Sequence, residues 1–435
     1  EGAPKTMASD VMEGLEAGRQ LYNILYSPVS REKFERWQAQ YGDAYTVLKS
    51  ALTPEEWNSA KGSSLNAHYT SRDGIEALWK IVKRLGWNGG TAVESSAGIG
   101  HIMGLMPDDF AGKVRWIGVE LDKMTGQMLK QLYPASDIQN VGFEKSRRTE
   151  NNSASLVISN FPFGDYPVSD IGHPDYDGWS IHNYFLARSI DVVKPGGLVV
   201  AITSRFTMDG ASGMQMRSWL AKRADLVGAI RLPDTAFKAS AGTEVVTDIL
   251  IFRKRTGVAN LHGQRFTSLA NVMIPPELHA PQNKDEEEKD YQERITRPVL
   301  VNEYFVDHPE MVMGLHSAKG TMYGGGQYTV QSTGELDKQL DKAIKTLPEN
   351  VAATDETDLE EEDKGEVRTI EGRKPDSYVL QDGKVWQVDA QGRLLEPEFK
   401  GTTAVNTAKK LIELRDSVLD LLKQELSEES TDEQI

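Results

Sequence analysis

The chain has 435 residues, no cysteine and a formal net charge of −16. Its length allows two or three domains, and the absence of cysteine excludes disulfides, thiolate metal sites and a cysteine nucleophile. No apolar run reaches the length of a membrane-spanning helix and no basic-then-apolar leader opens the sequence, so we expect a cytoplasmic protein that has no contact with a membrane.

The negative charge is unevenly distributed along the chain. Residues 1–257 carry equal numbers of basic and acidic residues, so the whole acidic excess lies in residues 258–435. The first part can therefore present a local basic face, whereas the second part is not expected to bind phosphates along its length. The sequence begins with Glu1 rather than methionine, from which we expect a processed chain or a piece of a longer protein.

The N-terminal part of the sequence has helical patterns. Apolar residues recur at three-to-four spacing within residues 8–50, which is typical of amphipathic helices. Thr53-Pro54-Glu55-Glu56 has the residue types of a helix start. Ser71 predicts the N-cap of another helix that ends near Leu85, before Gly86.

From residue 91 onward, strand and helix patterns alternate, which predicts a parallel, doubly wound α/β sheet. Val245–Phe252 is expected to add an antiparallel strand to it. The predicted strands cover residues 91–93, 114–119, 156–158, 198–203, 226–231 and 245–252, and the predicted helices cover residues 101–106, 124–133, 182–193 and 214–224.

The sequence predicts five regions along the chain. After residue 252 the strand–helix alternation weakens, residues 349–368 are acidic and poor in apolar residues, and two short patterns near the end indicate a hairpin and an amphipathic helix. The regions are an N-terminal helical region (1–60), an α/β sheet domain (61–257), an accessory or target-recognition region (258–347), an acidic linker (348–368) and a C-terminal α+β region (369–435).

A glycine-rich turn follows the first predicted strand, in the segment Glu94-Ser95-Ser96-Ala97-Gly98-Ile99-Gly100. Glycine lets a backbone approach a ligand closely, and open α/β sheets bind ligands at the carboxyl ends of their strands. Glu120 ends the next strand and could accept both hydroxyls of a ribose. We predict an adenosyl cofactor here, with Glu94, Ser96, Gly98, Gly100 and Glu120 as binding residues; a plain tight turn beside a surface acid is the alternative.

The tetrapeptide Asn160-Phe161-Pro162-Phe163 stands at the end of another predicted strand. The Asn160 side-chain oxygen and the Phe161 carbonyl can each accept an N–H bond from a planar amine, and Phe163 offers a face on which a base can stack. Together with the adenosyl site, this predicts methyl transfer to an exocyclic amine such as N6 of adenine, with Asn160 also close to the cofactor. The alternative is a buried turn with an apolar plug.

Several residues around these two segments are further candidates. Tyr69 and Thr70 could close over the cofactor, and Glu144 could lie beside its adenine ring. The basic group Lys145, Arg147 and Arg148 could contact phosphates, although a solvated surface cluster explains it equally well. The eight histidines show no metal-ligand spacing, so no metal is assigned.

These segments resemble the γ-type methyltransferases that act on N6 of adenine in DNA. The closer resemblance is to the methylase domain of large phage- and plasmid-borne methyltransferase–helicase proteins of the anti-restriction type, and Arg205 lies in a similar segment, which adds it to the substrate-binding candidates. The resemblance covers roughly residues 50–330 and is carried by residues 65–71, 94–107, 159–166, 203–206, 231–237 and 241–244.

The resemblance implies a site-specific or low-specificity DNA adenine-N6 methyltransferase with a class I, Rossmann-like sheet. Its cofactor would be S-adenosylmethionine, its target base would be flipped out of the helix, and its partners would be DNA and a helicase domain or other subunits of a larger assembly. The tetrapeptide departs from the commonest form by having Phe161 where proline is usual. Two alternatives remain open: a methyltransferase for RNA or protein glutamine, and an inactive scaffold of a phage or plasmid assembly.

Overall fold

The computed structural model describes residues 31–51, 53–54, 57, 70–164, 166–237, 245–256, 264–320, 326–352, 377–381, 383–388, 394–395, 397 and 402–426. The chain divides into two compact units, Glu1–Asp355 and Glu356–Ile435. The first unit contains a large sheet with its helices, and the second contains a small sheet with one long helix.

In the part of the chain that the structure describes, α1 (Arg31–Ala51) and α2 (Arg72–Arg84) precede the large sheet. The predicted cap of α2 is confirmed, because the Ser71 hydroxyl accepts a hydrogen bond from the backbone N–H of Gly74 at 3.3 Å. The apolar side of α2 buries Ile75, Leu78 and Trp79 in the core. The helix therefore packs on the sheet and brings the residues before it close to the sheet.

The large sheet has seven strands in the order β3-β2-β1-β4-β5-β7-β6, with β7 antiparallel to its neighbours and the other pairs parallel. This arrangement confirms the predicted fold class, a Rossmann-like sheet of the class I methyltransferase type, including its antiparallel strand. The strands are β1 (Gly90–Glu94), β2 (Val114–Val119), β3 (Asp137–Gln139), β4 (Ala154–Asn160), β5 (Val193–Ser204), β6 (Ala224–Arg231) and β7 (Thr247–Lys254).

Helices connect these strands and cover the sheet. The longest, α5, is buried along nearly its whole length, including its polar residues His182, Asn183, Arg188 and Ser189. The helices are α3 (His101–Gly104), α4 (Lys123–Leu132), α5 (Ile181–Val192), α6 (Phe206–Asp209) and α7 (Met214–Ala221). The central strands β4 and β5 are covered on both faces, so their side chains form the core.

The described part of residues 264–352 belongs to the same compact unit as the sheet. Tyr304, Phe305 and Leu340 are buried in the core that the sheet residues form. The additional elements are β8 (Leu269–Val272), α8 (Glu288–Thr296), β9 (Val299–Asn302), α9 (Glu303–Asp307), β10 (Leu315–Gly320), β11 (Gln327–Gln331) and α10 (Leu336–Thr346). Strands β8 and β9 form one antiparallel pair, and β10 and β11 form another.

The second unit contains a small sheet and a helix. Strands β12 (Tyr378–Gln381), β13 (Lys384–Val388) and β14 (Leu394–Leu395) are antiparallel neighbours, which confirms the predicted hairpin. Helix α11 (Thr402–Leu426) is attached to this sheet, because the Arg415 guanidinium donates to the Tyr378 carbonyl at 2.7 Å. The predicted linker falls mostly outside the described residues.

Candidate active site

The two predicted site segments lie at one edge of the large sheet. Strands β1 and β4 are parallel neighbours, with Ala92 opposite Leu156 and Val93 opposite Val157. Glu94 is the last residue of β1 and Asn160 the last residue of β4. The glycine-rich turn and the tetrapeptide therefore start side by side at the carboxyl edge, where sheets of this type bind their ligands.

Ser96 connects the glycine-rich turn directly to the tetrapeptide. Its hydroxyl donates to the backbone carbonyl of Asn160 at 2.6 Å and is 3.0 Å from the Ser159 hydroxyl. The Ser95 hydroxyl lies 3.3 Å from the same Ser159 oxygen. Three serine hydroxyls thus hold the ends of β1 and β4 together, so the position of one segment depends on the other.

Thr70 fixes the orientation of the Asn160 amide. The Asn160 Nδ2 donates to the Thr70 hydroxyl at 3.0 Å, and Thr70 is itself buried. Because the amide nitrogen of Asn160 points toward Thr70, the side-chain oxygen of Asn160 points away from Thr70. Tyr69, the predicted neighbour of Thr70 in the site, lies outside the described residues.

The aromatic residues of the tetrapeptide have different environments. Phe161 is buried, its ring lies 5.8 Å from that of Phe185, and its backbone N–H donates to the Ile202 carbonyl at 2.9 Å. Phenylalanine in place of proline is therefore accommodated as a core residue. Pro162 and Phe163 are half-buried, and the Phe163 ring meets Phe237 edge to face with centroids 6.4 Å apart.

Glu120 is tied to the glycine-rich turn by hydrogen bonds. One carboxylate oxygen accepts from the Gly98 N–H and the other from the Asp122 N–H, each at 2.8 Å. A carboxylate has about four acceptor positions, so both oxygens can still accept hydroxyl groups. Burial raises the pKa of Glu120, and these backbone donors partly oppose that increase.

Glu94 is a buried carboxyl group at the start of the turn. Its Oε2 has no hydrogen-bond partner among the described residues, although the Met103 backbone bonds to the group. Burial raises its pKa well above the usual value, and the negative charge of Glu120 adds to this effect. A polar oxygen that is buried without a partner is costly, so a bound molecule that forms a hydrogen bond with it would relieve this cost.

The two glycines of the turn have different roles. Both have positive φ, 55° at Gly98 and 83° at Gly100. A Cβ at Gly98 would meet no atom within 4 Å, whereas one at Gly100 would overlap the Tyr133 ring. Gly100 is thus required by packing, while Gly98 borders open space that can take a ligand. The residues present fit an adenosyl cofactor, with the open space at Gly98, the Glu120 acceptor and the partnerless oxygen of Glu94.

The predicted basic group near the site is partly neutralised. Lys145 lies 3.8 Å from the Glu144 carboxylate, and Arg148 pairs with Asp137 at 3.0 Å. Arg147 is exposed between them. Glu144 is half-buried in the short turn Phe143–Lys145 that follows β3, and its place beside the adenine ring stays a prediction, as does phosphate contact by the three basic residues.

Arg205 is enclosed rather than presented to solvent. Its guanidinium lies 4.2 Å from the Phe206 ring centroid, 5.0 Å from that of Tyr328 and 3.4 Å from Asp209. Its contact with substrate stays a prediction, and to reach a phosphate the guanidinium would have to leave these three contacts.

The sequence did not predict the buried ion network next to Arg205. Arg231 ends β6, is fully buried, and donates to both Asp209 and Asp248. Its Nη1 also donates to the Tyr328 hydroxyl at 3.0 Å, so the network connects the sheet edge to β11. An arginine and an aspartate at the ends of otherwise apolar strand patterns are the signal that could have revealed this pair.

Leu121 is another residue that the sequence reasoning did not include. It follows Glu120 directly and is largely exposed, so it offers apolar surface beside the proposed ribose acceptor.

Among the described residues no group of three or more acidic or histidine side chains is arranged to hold a metal. Likewise, no described helix is both long and apolar enough to cross a membrane.

Comparison by sequence finds one informative relative. No protein-family model matches the chain. An alignment over 221 residues, which covers 49% of the chain, gives 30% identity to the Defense against restriction protein B of Escherichia phage P1. The matched segment covers only 10% of that protein, so the chain corresponds to a small part of its relative.

Comparison by structure finds proteins with similar sheets at low identity. One is a type I restriction-modification methyltransferase subunit from Streptococcus thermophilus, with 15% identity, a TM-score of 0.37 and coverage of 66% of this chain and 71% of that one. A second, described as a modification subunit of a type I restriction enzyme, is from Vibrio vulnificus, with 15% identity, a TM-score of 0.37 and coverage of 73% and 66%.

A third similar structure is described as a class I S-adenosylmethionine-dependent methyltransferase from Listeria monocytogenes. Its identity is 16%, its TM-score 0.35, and the match covers 55% of this chain and 79% of that one. The fold assignment itself rests on the strand order and on the antiparallel β7. The chain thus has a class I methyltransferase fold, and its predicted resemblance to phage anti-restriction proteins is confirmed by the phage P1 relative.

Proposed function

We propose that the protein transfers a methyl group from S-adenosylmethionine to N6 of adenine in DNA. The observation that carries the proposal is the pair of hydrogen bonds that fix Asn160, from Ser96 to its backbone carbonyl and from its Nδ2 to Thr70. The first bond joins an amine-binding tetrapeptide to a turn that fits an adenosyl group, and the second orients the Asn160 amide. The similarity to a phage protein named for defense against restriction supports DNA as the substrate.

The residues of this chain act by alignment. Bound S-adenosylmethionine would supply a methyl group that is activated by its sulfonium sulfur, and S-adenosylhomocysteine would be the leaving group. Glu120 accepts hydroxyl groups of the adenosyl moiety, and the open space at Gly98 admits it. The Asn160 side-chain oxygen and the Phe161 carbonyl accept the two N–H groups of the target amine, which directs its lone pair toward the methyl group.

Phe163 provides the stacking surface for the extruded base. The ring is half-buried and braced edge to face by Phe237, so its position is fixed before a base arrives. The proton of the amine leaves to water after the transfer, and no covalent intermediate with the protein is needed. The target would be reached by base flipping, since its amine is paired inside a duplex.

The proposal is tested by offering several acceptors to the purified protein. Radiolabelled S-adenosylmethionine is incubated with unmethylated DNA, RNA and protein in parallel, and the label in each acceptor is counted. Label in DNA alone supports the proposal. Label only in RNA or protein would support the alternative methyltransferases, and cofactor binding without transfer to any acceptor would support the inactive scaffold.

A further inference from the structure

Phe206 is an exposed aromatic residue at the catalytic edge of the sheet. It begins α6, two residues after the end of β5, and the register of β4 and β5 places Asn160 opposite Ile202. Phe206 lies four positions after Ile202, which corresponds to at most about 14 Å of extended chain. The Phe206 ring is therefore within a few nucleotide lengths of the tetrapeptide.

The Arg205 guanidinium lies over one face of this ring, and about half of the residue is exposed to solvent. Phe206 is 49% exposed, and the Arg205 guanidinium lies 4.2 Å from its ring centroid. Single exposed apolar residues are common and usually have no function. Phe206 differs because a cation is stacked beneath it, which leaves a flat aromatic surface facing outward.

The support beneath the ring is itself held by buried groups. Arg205 is bound by Asp209 and packed against Tyr328, and Asp209 also accepts from the Arg231 guanidinium at 2.8 Å and from the Asn302 N–H at 2.9 Å. Both Asp209 and Arg231 are buried. A ring held in this way loses little conformational freedom when a ligand stacks on it.

A nucleobase fits this surface because every base has a flat π-face. Extrusion of one base removes a stacking neighbour from each adjoining base, and an exposed ring near the flipped base can replace it. We propose that Phe206 stacks on a DNA base adjoining the target adenine and that Arg205 is a positioning residue that holds Phe206 rather than a phosphate contact. This inference rests on the proposed function and adds a DNA-contacting residue to it.

The first test is the Phe206→Ala variant, compared with Leu132→Ala. Leu132 is 48% exposed, nearly as much as Phe206, and it is the last residue of α4. That helix leads from the carboxyl edge of the sheet back to the opposite edge, so Leu132 lies away from the proposed site. Phe206→Ala should raise KM for DNA on the order of 10-fold, with little change in kcat or in S-adenosylmethionine binding, and Leu132→Ala should match the wild type. A Phe206→Ala variant with wild-type KM overturns the inference.

The second test separates positioning from phosphate contact through salt dependence. Arg205→Met should weaken DNA binding while leaving the slope of log Kd against log salt unchanged. A direct phosphate contact predicts a slope reduced by about one, and that result would refute the positioning role. S-adenosylmethionine binding by both variants reports that the sheet remains folded.

A third measurement requires no methyl transfer, so it distinguishes this inference from the function on which it rests. The Phe206→Trp variant adds one tryptophan to the eight of the wild type. The additional tryptophan fluorescence, taken as the difference between variant and wild type, should be quenched as a DNA oligonucleotide is added. Quenching together with a failed transfer assay would count against the proposed reaction alone. Unchanged fluorescence at saturating DNA would overturn the stacking proposal even if the reaction is confirmed.

Discussion

Replacing Arg231 by methionine should strongly destabilise the protein. The arginine side chain is fully buried and donates to Asp248 at 2.8 and 2.9 Å and to Asp209 at 2.8 and 3.0 Å. Methionine has a similar length but no donor and no charge. The substitution therefore leaves two buried carboxylates without their main partner.

The expected loss follows from the burial of these groups. Removing one partner of a buried ion pair costs about 3–5 kcal/mol, because the remaining charge stays desolvated. Asp209 keeps its contacts with Arg205 and with the Asn302 N–H, which limits the loss on its side. We therefore expect the free energy of unfolding to fall by about 3–5 kcal/mol in total, a large part of the roughly 5–15 kcal/mol typical of folded proteins.

Urea denaturation of Arg231→Met and of a matched control measures this loss. Lys83 pairs with Asp109 on the surface, where the two side chains are 65% and 58% exposed. Lys83→Met should therefore change the free energy of unfolding by at most about 1 kcal/mol. If Arg231→Met unfolds within about 1 kcal/mol of the wild type, the network does not stabilise the fold as argued.

The same variant should respond to pH in a defined direction. Burial already raises the pKa of Asp248 while Arg231 lowers it, so loss of the arginine raises that pKa further. A carboxyl group with a raised pKa in the folded state destabilises the fold as pH rises above the value in the unfolded chain. The deficit of Arg231→Met should thus be larger near about pH 8 than near about pH 5, and a deficit independent of pH would contradict this explanation.

Three further predictions concern the site itself. Thr70→Val removes the hydrogen bond from Asn160 and should lower kcat for methyl transfer about 2- to 10-fold with little change in KM for S-adenosylmethionine. Glu94→Gln removes a buried carboxyl group whose pKa is raised, so its stability advantage over the wild type should grow as pH increases from about 5 to 8. Gly100→Ala should destabilise the protein more than Gly98→Ala, because both strain a left-handed backbone but only Gly100 meets the Tyr133 ring.

Each of these predictions has a contradicting outcome. Equal kcat in Thr70→Val and wild type would show that the Asn160 amide is oriented by other contacts. A Glu94→Gln effect on melting temperature that does not vary with pH would show that the carboxyl group is not held protonated. Equal unfolding midpoints for the two glycine variants would show that the space around Gly100 adapts to a methyl group.

The parts of the fold that the sequence predicts correctly have strong local signals. The strands β2, β4 and β7 are apolar runs, and the cap at Ser71 has a specific residue type. The parallel, doubly wound sheet follows from the alternation of strands and helices. The neighbouring positions of Gly98 and Asn160 follow in turn from the carboxyl ends of adjacent strands.

The parts that the sequence did not reveal depend on contacts between distant residues. Strand β3 has three residues, too few for a period-two pattern to appear. Arg205 was placed among the substrate-binding residues because it lies in a segment that resembles the methyltransferase family. One of its contacts in the structure, Tyr328, is 123 positions further along the chain, and no local pattern predicts such a contact.

The measurement that tests the central claim most directly is nucleoside mass spectrometry of DNA treated with the protein and S-adenosylmethionine. The wild type should produce N6-methyladenine and no other methylated nucleoside, whereas Asn160→Ala should produce none while still binding the cofactor. N6-methyladenine formed equally by Asn160→Ala, or DNA that the wild type leaves unmethylated, would contradict the assignment of Asn160 and its tetrapeptide as the site of transfer to adenine.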